Sequence, residues 1–139
     1  MIPELAFDQG IGDIFTIRVA GNIANTASLG SIEYAIANLG VNLIVVLGHE
    51  NCGAVTAAIG GGDNGYNLNH LVAEILPAIN ASTDKSVNAV VKKNAEMNAG
   101  QIVTRSPIIQ KAMKEREIRI LPAYYELGSG KIDFMEDLA

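Results

Sequence analysis

The stretch VNLIVVLGHENCGAV, residues 41–55, decides how the chain is read. Leu43–Leu47 is a continuous apolar run that stops at Gly48. A run of that kind is expected of a strand covered on both faces of a parallel sheet. Asn51–Ile59 reads as the start of a helix, so His49 and Cys52 fall where a strand ends and a helix begins. Open α/β sheets hold their ligands at that place. Imidazole and thiolate are both good zinc donors, and a catalytic zinc takes three protein ligands and keeps a fourth position for water. A water on such a zinc ionises near neutral pH, which makes it a nucleophile. His49 and Cys52 supply two of the donors from one turn. A buried strand-end histidine beside a small apolar cysteine is the structural alternative.

Working outward, Asp13–Ala20 (DIFTIRVA) is rich in β-branched and aromatic residues and reads as a strand closed by Gly21-Asn22. Ser28 is a plausible N-cap for SLGSIEYAIANLG, whose Ile32, Ala35, Ile36 and Leu39 form a helical apolar stripe ending at Gly40. Residues 13–48 therefore predict a β-α-β unit with a right-handed crossover. Helices are expected at Leu68–Ile79, with Pro77 weakening the last turn, and after a Ser82–Asp84 cap, on the stripe Val87, Val90, Val91, Ala95, Asn98 and Ile102. Ser106-Pro107 has N-cap and N1 chemistry for PIIQKAMKE. Arg119–Leu127 then reads as a strand, and Lys131–Met135 returns beyond Gly128-Ser129-Gly130 as an antiparallel edge. The expected fold is α/β, a mostly parallel sheet flanked by helices in one domain spanning 1–139.

Composition sets the limits. Of the 139 residues, 49% are apolar and only 18% charged, which suits a compact chain with a large shielded surface. The net charge is −5, and Lys92, Lys93, Lys111, Lys114, Arg116 and Arg119 are interspersed with acids, so no nucleic-acid partner is expected. No apolar run approaches the ~20 residues that span a bilayer, and MIPELAFDQG has no signal-like region. A single Cys cannot form an internal disulfide, which predicts a cytoplasmic setting.

GHENCGAV (48–55), FDQGIGDIFTIRVAGN (7–22) and GSIEYAIANLGVNLIVVLGH (30–49) together resemble the β-class carbonic anhydrases. TRSPIIQKAMKE (104–115) and AYYELGSGKIDF (123–134) do so as well, in the family's order. The resemblance implies a zinc lyase that interconverts carbon dioxide and bicarbonate, usually as a dimer or larger homo-oligomer. It implies that His49 and Cys52 are metal ligands. It also implies that Gln9 helps to bind bicarbonate and that the backbone of Gly53 packs close to the metal.

The departure is equally specific. The family's first Cys ligand stands in a C-x-D-x-R segment, which also carries an Asp-Arg pair controlling access to the metal. Cys52 is the only Cys in the chain, and neither Asp8 nor Asp13 matches the position of that pair. The chain begins at Met1-Ile2-Pro3-Glu4, just after the place where that segment is expected, so the expected fold is N-terminally truncated. In the family the strand leading into C-x-D-x-R lies between those matched by Asp13–Ala20 and Leu43–Leu47. Its absence predicts that these two strands pair directly or that another chain fills the slot, since unpaired buried backbone groups cost about 1–3 kcal/mol each. The competing function is a catalytically inactive truncated subunit or scaffold. A small-anion or nucleotide module rests only on Gly60–Gly65, which lacks the Lys-Ser/Thr ending of a P-loop. His70 reads as a partly exposed helix residue, and Arg18 is expected to pair with Glu33 or Asp13.

Overall fold

The computed structural model describes residues 1–138; Ala139, the last residue of the expected 1–139 domain, lies outside them. Two parallel strands carry the fold. β1 (Leu43–His49) runs beside β2 (Arg119–Tyr125), in register from Leu43 opposite Arg119 to His49 opposite Tyr125. β3 (Ile132–Phe134) pairs antiparallel to β2, with Tyr125 opposite Ile132. The order is β1-β2-β3, which leaves one side of β1 unpaired among the described residues.

The ladder itself says which groups face that open side. Asn42 accepts from the Arg119 N–H, and the Glu50 N–H donates to the Tyr125 carbonyl, both at 2.9 Å. In a parallel pair alternate residues of a strand bond to the same neighbour. The even positions of β1 therefore turn their backbone groups toward β2, and Leu43, Val45, Leu47 and His49 turn theirs away. Pro122 sits mid-strand in β2 without harm, because residues 119, 121 and 123 are the ones that donate to β1.

The helices are α1 (Pro3–Ala6), α2 (Thr26–Asn38), α3 (Gly53–Gly60), α4 (Tyr66–Ala81), α5 (Val87–Arg105) and α6 (Pro107–Glu115). α5 is the centre of the packing. Its Ala95, Ala99 and Ile102 join Ile36 of α2 with Val46 and Ile120 of the sheet, and its Val90 and Val91 join Val55, Ile75 and Tyr124. Gly48 lets α5 approach β1, because a Cβ there would lie 2.6 Å from Cγ1 of Val91. Ser106 caps α6 as the sequence suggested, accepting from Ile109 N at 3.1 Å, with Pro107 at the first helical position.

Several expectations are corrected. Asp13–Ala20 forms no strand: it carries no ladder and ends in a 3₁₀ turn over Ala20–Asn22, where Gly21 has φ 77°. β-branched residues favour extended backbone, but a strand needs a neighbour to bond, and this segment makes no ladder with β1. The direct pairing of this segment with β1 is therefore absent. Asn25, not Ser28, caps α2, accepting from Ser28 N at 2.9 Å; Ser28 is already inside the helix. Ser86, not Ser82–Asp84, caps α5, and Asp84 instead accepts from Ser86 N at 2.8 Å. α4 is longer at both ends than expected and runs through Pro77. β2 and β3 are shorter than read, although Met135 N still donates to the Pro122 carbonyl at 2.8 Å and Glu126 N to the Lys131 carbonyl at 2.9 Å. No helix among the described residues is long and apolar enough to cross a membrane.

Candidate metal and anion site

β1 ends at His49, and the chain reverses through Glu50 and Asn51 before α3 begins after Cys52. The turn is held from both sides. Leu127 N donates to Glu50 Oε2 at 3.0 Å, Asn51 N donates to Asn88 Oδ1 at 3.1 Å, and Asn51 takes φ 54°, which asparagine tolerates. His49 Nδ1 lies 2.9 Å from the carbonyl oxygen of Glu50. A carbonyl only accepts, so Nδ1 carries the proton and the lone pair is left on Nε2, the arrangement a metal-binding histidine requires. Cys52 is a free thiol, 8% exposed, whose own carbonyl accepts from both Thr56 N and Thr56 Oγ1.

His49, Cys52, Gly53 and Gln9 all line one cavity of about 910 Å³. The sequence placed these four residues in one site, and the fold brings them around one space. Their local roles differ. Gln9 is exposed, and its Nε2 donates to the carbonyls of Phe7 and Asp8 at 3.0 and 3.1 Å, which holds the side chain against its own loop. A Cβ on Gly53 would meet nothing within 4 Å, so no protein contact demands glycine there.

The other wall holds polar groups. Asn94 and Asn98, one turn apart on α5, are both buried and line the cavity. Asn98 Oδ1 accepts from Ala24 N at 2.7 Å, its Nδ2 bonds Asn94, and Asn94 Nδ2 donates to the Gly21 carbonyl at 2.6 Å. Asn22, at φ 53°, points a buried Nδ2 with no partner among the described residues. The sequence reading put Asn98 on a packing stripe, took Asn22 only as part of the turn closing Asp13–Ala20, and passed over Asn94. The available signal was a pair of amides at i, i+4 within an otherwise apolar helix face.

Arg18 is exposed, and neither carboxylate expected to pair with it does so. Asp13 accepts from Gly10 N at 2.9 Å, and Glu33 accepts from Ser106 Oγ at 2.6 Å. The ion pair fails because Asp13–Ala20 leaves the sheet that was to bury Arg18. His70 is exposed on α4 and lines a separate pocket of about 300 Å³ with Glu74 and Arg105.

The donor chemistry of His49 and Cys52 suits zinc, but the set is incomplete. Among the described residues no three His, Cys, Asp or Glu side chains come together to hold a metal ion. A catalytic zinc needs three protein ligands and a structural one four. The described residues by themselves do not complete the coordination of the ion.

A family model described as carbonic anhydrase matches residues 1–132. The chain is 35% identical to a carbonic anhydrase of Mycolicibacterium smegmatis, over 97% of this chain and 69% of that protein. It is 33% identical to carbonic anhydrase 2 of Mycobacterium tuberculosis, over 92% of this chain and 65% of that protein. It thus spans about two thirds of the length of these relatives. Tetrameric β-carbonic anhydrase from Sordaria macrospora superposes with a TM-score of 0.86 at 26% identity, covering 98% of this chain and 75% of that one. The fold is also that of a Coccomyxa β-carbonic anhydrase crystallised with acetazolamide, with a TM-score of 0.87 at 22% identity over 99% of this chain and 68% of that one. Strand-end histidine and cysteine, fold and sequence agree: the chain belongs to the carbonic anhydrase family, in its β class.

Proposed function

We propose that this chain contributes to the zinc-dependent reversible hydration of carbon dioxide to bicarbonate, with the metal centre completed by a donor from outside it. The observation that carries this is that His49, Cys52, Gln9 and Gly53 all line one cavity, which runs along β1. His49 Nε2 and Cys52 Sγ are two of the zinc ligands, and Gln9 contacts bicarbonate. Zinc supplies the acidification of water that the reaction needs at neutral pH. A homo-oligomer in the cytoplasm is the setting, supported by the tetrameric relative and by the unpaired thiol of Cys52.

A second reading is a catalytically inactive truncated subunit or scaffold that keeps the fold. The lack of a three-donor cluster among the described residues favours it for the isolated chain. Zinc content by elemental analysis, the alkylation rate of Cys52 and carbon dioxide hydration separate the two. About one zinc per chain, a thiol shielded by zinc, and turnover abolished in Cys52→Ser support the enzyme. An unshielded thiol with no zinc and no turnover leaves the scaffold.

A further inference from the structure

We propose that Asn64 is a site of spontaneous modification: the main-chain nitrogen of Gly65 displaces the side-chain amide of Asn64, and a brace made by Asp63 and Asn69 sets how fast. Asn64 is the only asparagine of the chain that a glycine follows. Gly65 has no Cβ to crowd its nitrogen, and its φ of 88° is one that L side chains rarely adopt. Residues 60–67 are all exposed, so water reaches the loop. None of them lines the cavity of His49 and Cys52, which separates the modification from that site.

The chemistry needs only water. The nitrogen of Gly65 attacks Asn64 Cγ. A bond forms between them, the Cγ–Nδ2 bond breaks, and ammonia leaves with the proton of the Gly65 N–H. The five-membered imide then takes up water at one of its two carbonyls, giving aspartate or isoaspartate. Nothing is oxidised or reduced.

The surrounding hydrogen bonds restrain the first step. Gly65 N donates to Asp63 Oδ1 at 2.9 Å, and Asn64 N donates to Asn69 Oδ1 at 2.9 Å. Asn69 Nδ2 closes the brace by donating to the same Asp63 oxygen at 2.8 Å. The attacking nitrogen must give up the proton that Asp63 holds, and an ionised carboxylate beside it disfavours the resulting anion. The bonds from Gly65 and Asn69 keep the Asp63 carboxyl below its ordinary value of 3.8, so the brace is charged at neutral pH.

The product no longer suits the loop. Asn64 Nδ2 donates to the carbonyls of Gly61 and Gly62, 3.5 Å from each. A carboxylate there has no proton to donate and repels those oxygens. Gly65 is also the N-cap of α4, so isoaspartate lengthens the main chain by one carbon just ahead of that helix.

The test is peptide mapping by mass spectrometry of the full chain after incubation at pH 8. The expected result is conversion of Asn64 tenfold or more faster than that of Asn67 or Asn80, both exposed, with a slower rate at pH 7. Gly65→Ala should slow it tenfold or more, and Asp63→Ala should speed it threefold or more. Conversion of Asn64 no faster than that of Asn67 and Asn80 overturns the site, as does an unchanged rate in Gly65→Ala. An unchanged or slower rate in Asp63→Ala overturns the brace.

Discussion

Gly48 and Val91 touch where β1 crosses α5, so closely that a Cβ on Gly48 would stand 2.6 Å from Val91 Cγ1 and 3.3 Å from the Val91 carbonyl oxygen. The glycine just before His49 thus sets how near the helix lies to the site. Gly48→Ala forces the strand and helix apart, and overpacking of this kind costs about 1–3 kcal/mol. Urea denaturation measures it. Val91→Ala in the same chain should recover part of the loss, because the nearer clash is with its side chain.

Asn98 fastens the segment that carries Asn22 to α5, through Ala24 N at 2.7 Å and through Asn94. Asn98→Leu strands the Ala24 N–H in the interior. The expected loss is about 1–3 kcal/mol by chemical denaturation, the usual cost of an unmet buried donor. Asn80→Ala, at an exposed position of α4, is expected to change stability by less than about 0.5 kcal/mol. Equal effects at the two sites would refute the fastening role.

Ser106 has two partners: it accepts from Ile109 N at the start of α6 and donates to Glu33 Oε1 on α2. Ser106→Ala removes the cap and the link between the helices together. Losing such a cap costs about 0.5–2 kcal/mol. Ser106→Thr keeps the hydroxyl and should retain most of the stability, which thermal melting of the two variants will show.

Tyr124 is buried beneath Lys92, whose Nζ lies 4.6 Å from the ring centroid. Burial, and then the charges of Glu50, Glu126 and Asp133, push its phenol above the ordinary value of 10.0. The folded state thus holds this proton more tightly than the unfolded state. Its contribution to stability is complete below pH 10 and is lost as pH rises through the higher folded value. Tyr124 should ionise late in a 295 nm titration, and Tyr124→Phe should remove that late step. It should also flatten the loss of stability above pH 10.

Much of the architecture was legible because it is written in local chemistry. The apolar run Leu43–Leu47 does form a strand, although among the described residues it stands at the end of the sheet and not inside it, and Ser106-Pro107 opens a helix. His49 and Cys52 stand on either side of one strand-to-helix turn, so local sequence alone was enough to put both at the wall of one cavity. Asp13–Ala20 misled because its residues are suited to a strand, while strand formation depends on a neighbour that local sequence does not report. The capping of α2 by Asn25 was misread over a smaller distance. Two adjacent polar candidates differ only in which backbone geometry the packing selects.

The sequence by itself pointed to the family, to most of the helices and to the strands β1, β2 and β3, and to the donors His49 and Cys52, since each depends on residues close in the chain. Only the tertiary structure decided that β1 keeps one side unpaired among the described residues and that Asp13–Ala20 stays out of the sheet. It alone showed that Asn22 has a buried N–H with no partner among the described residues. Those outcomes depend on the relative placement of segments tens of residues apart, where backbone hydrogen bonding and close packing, not local propensity, choose the arrangement.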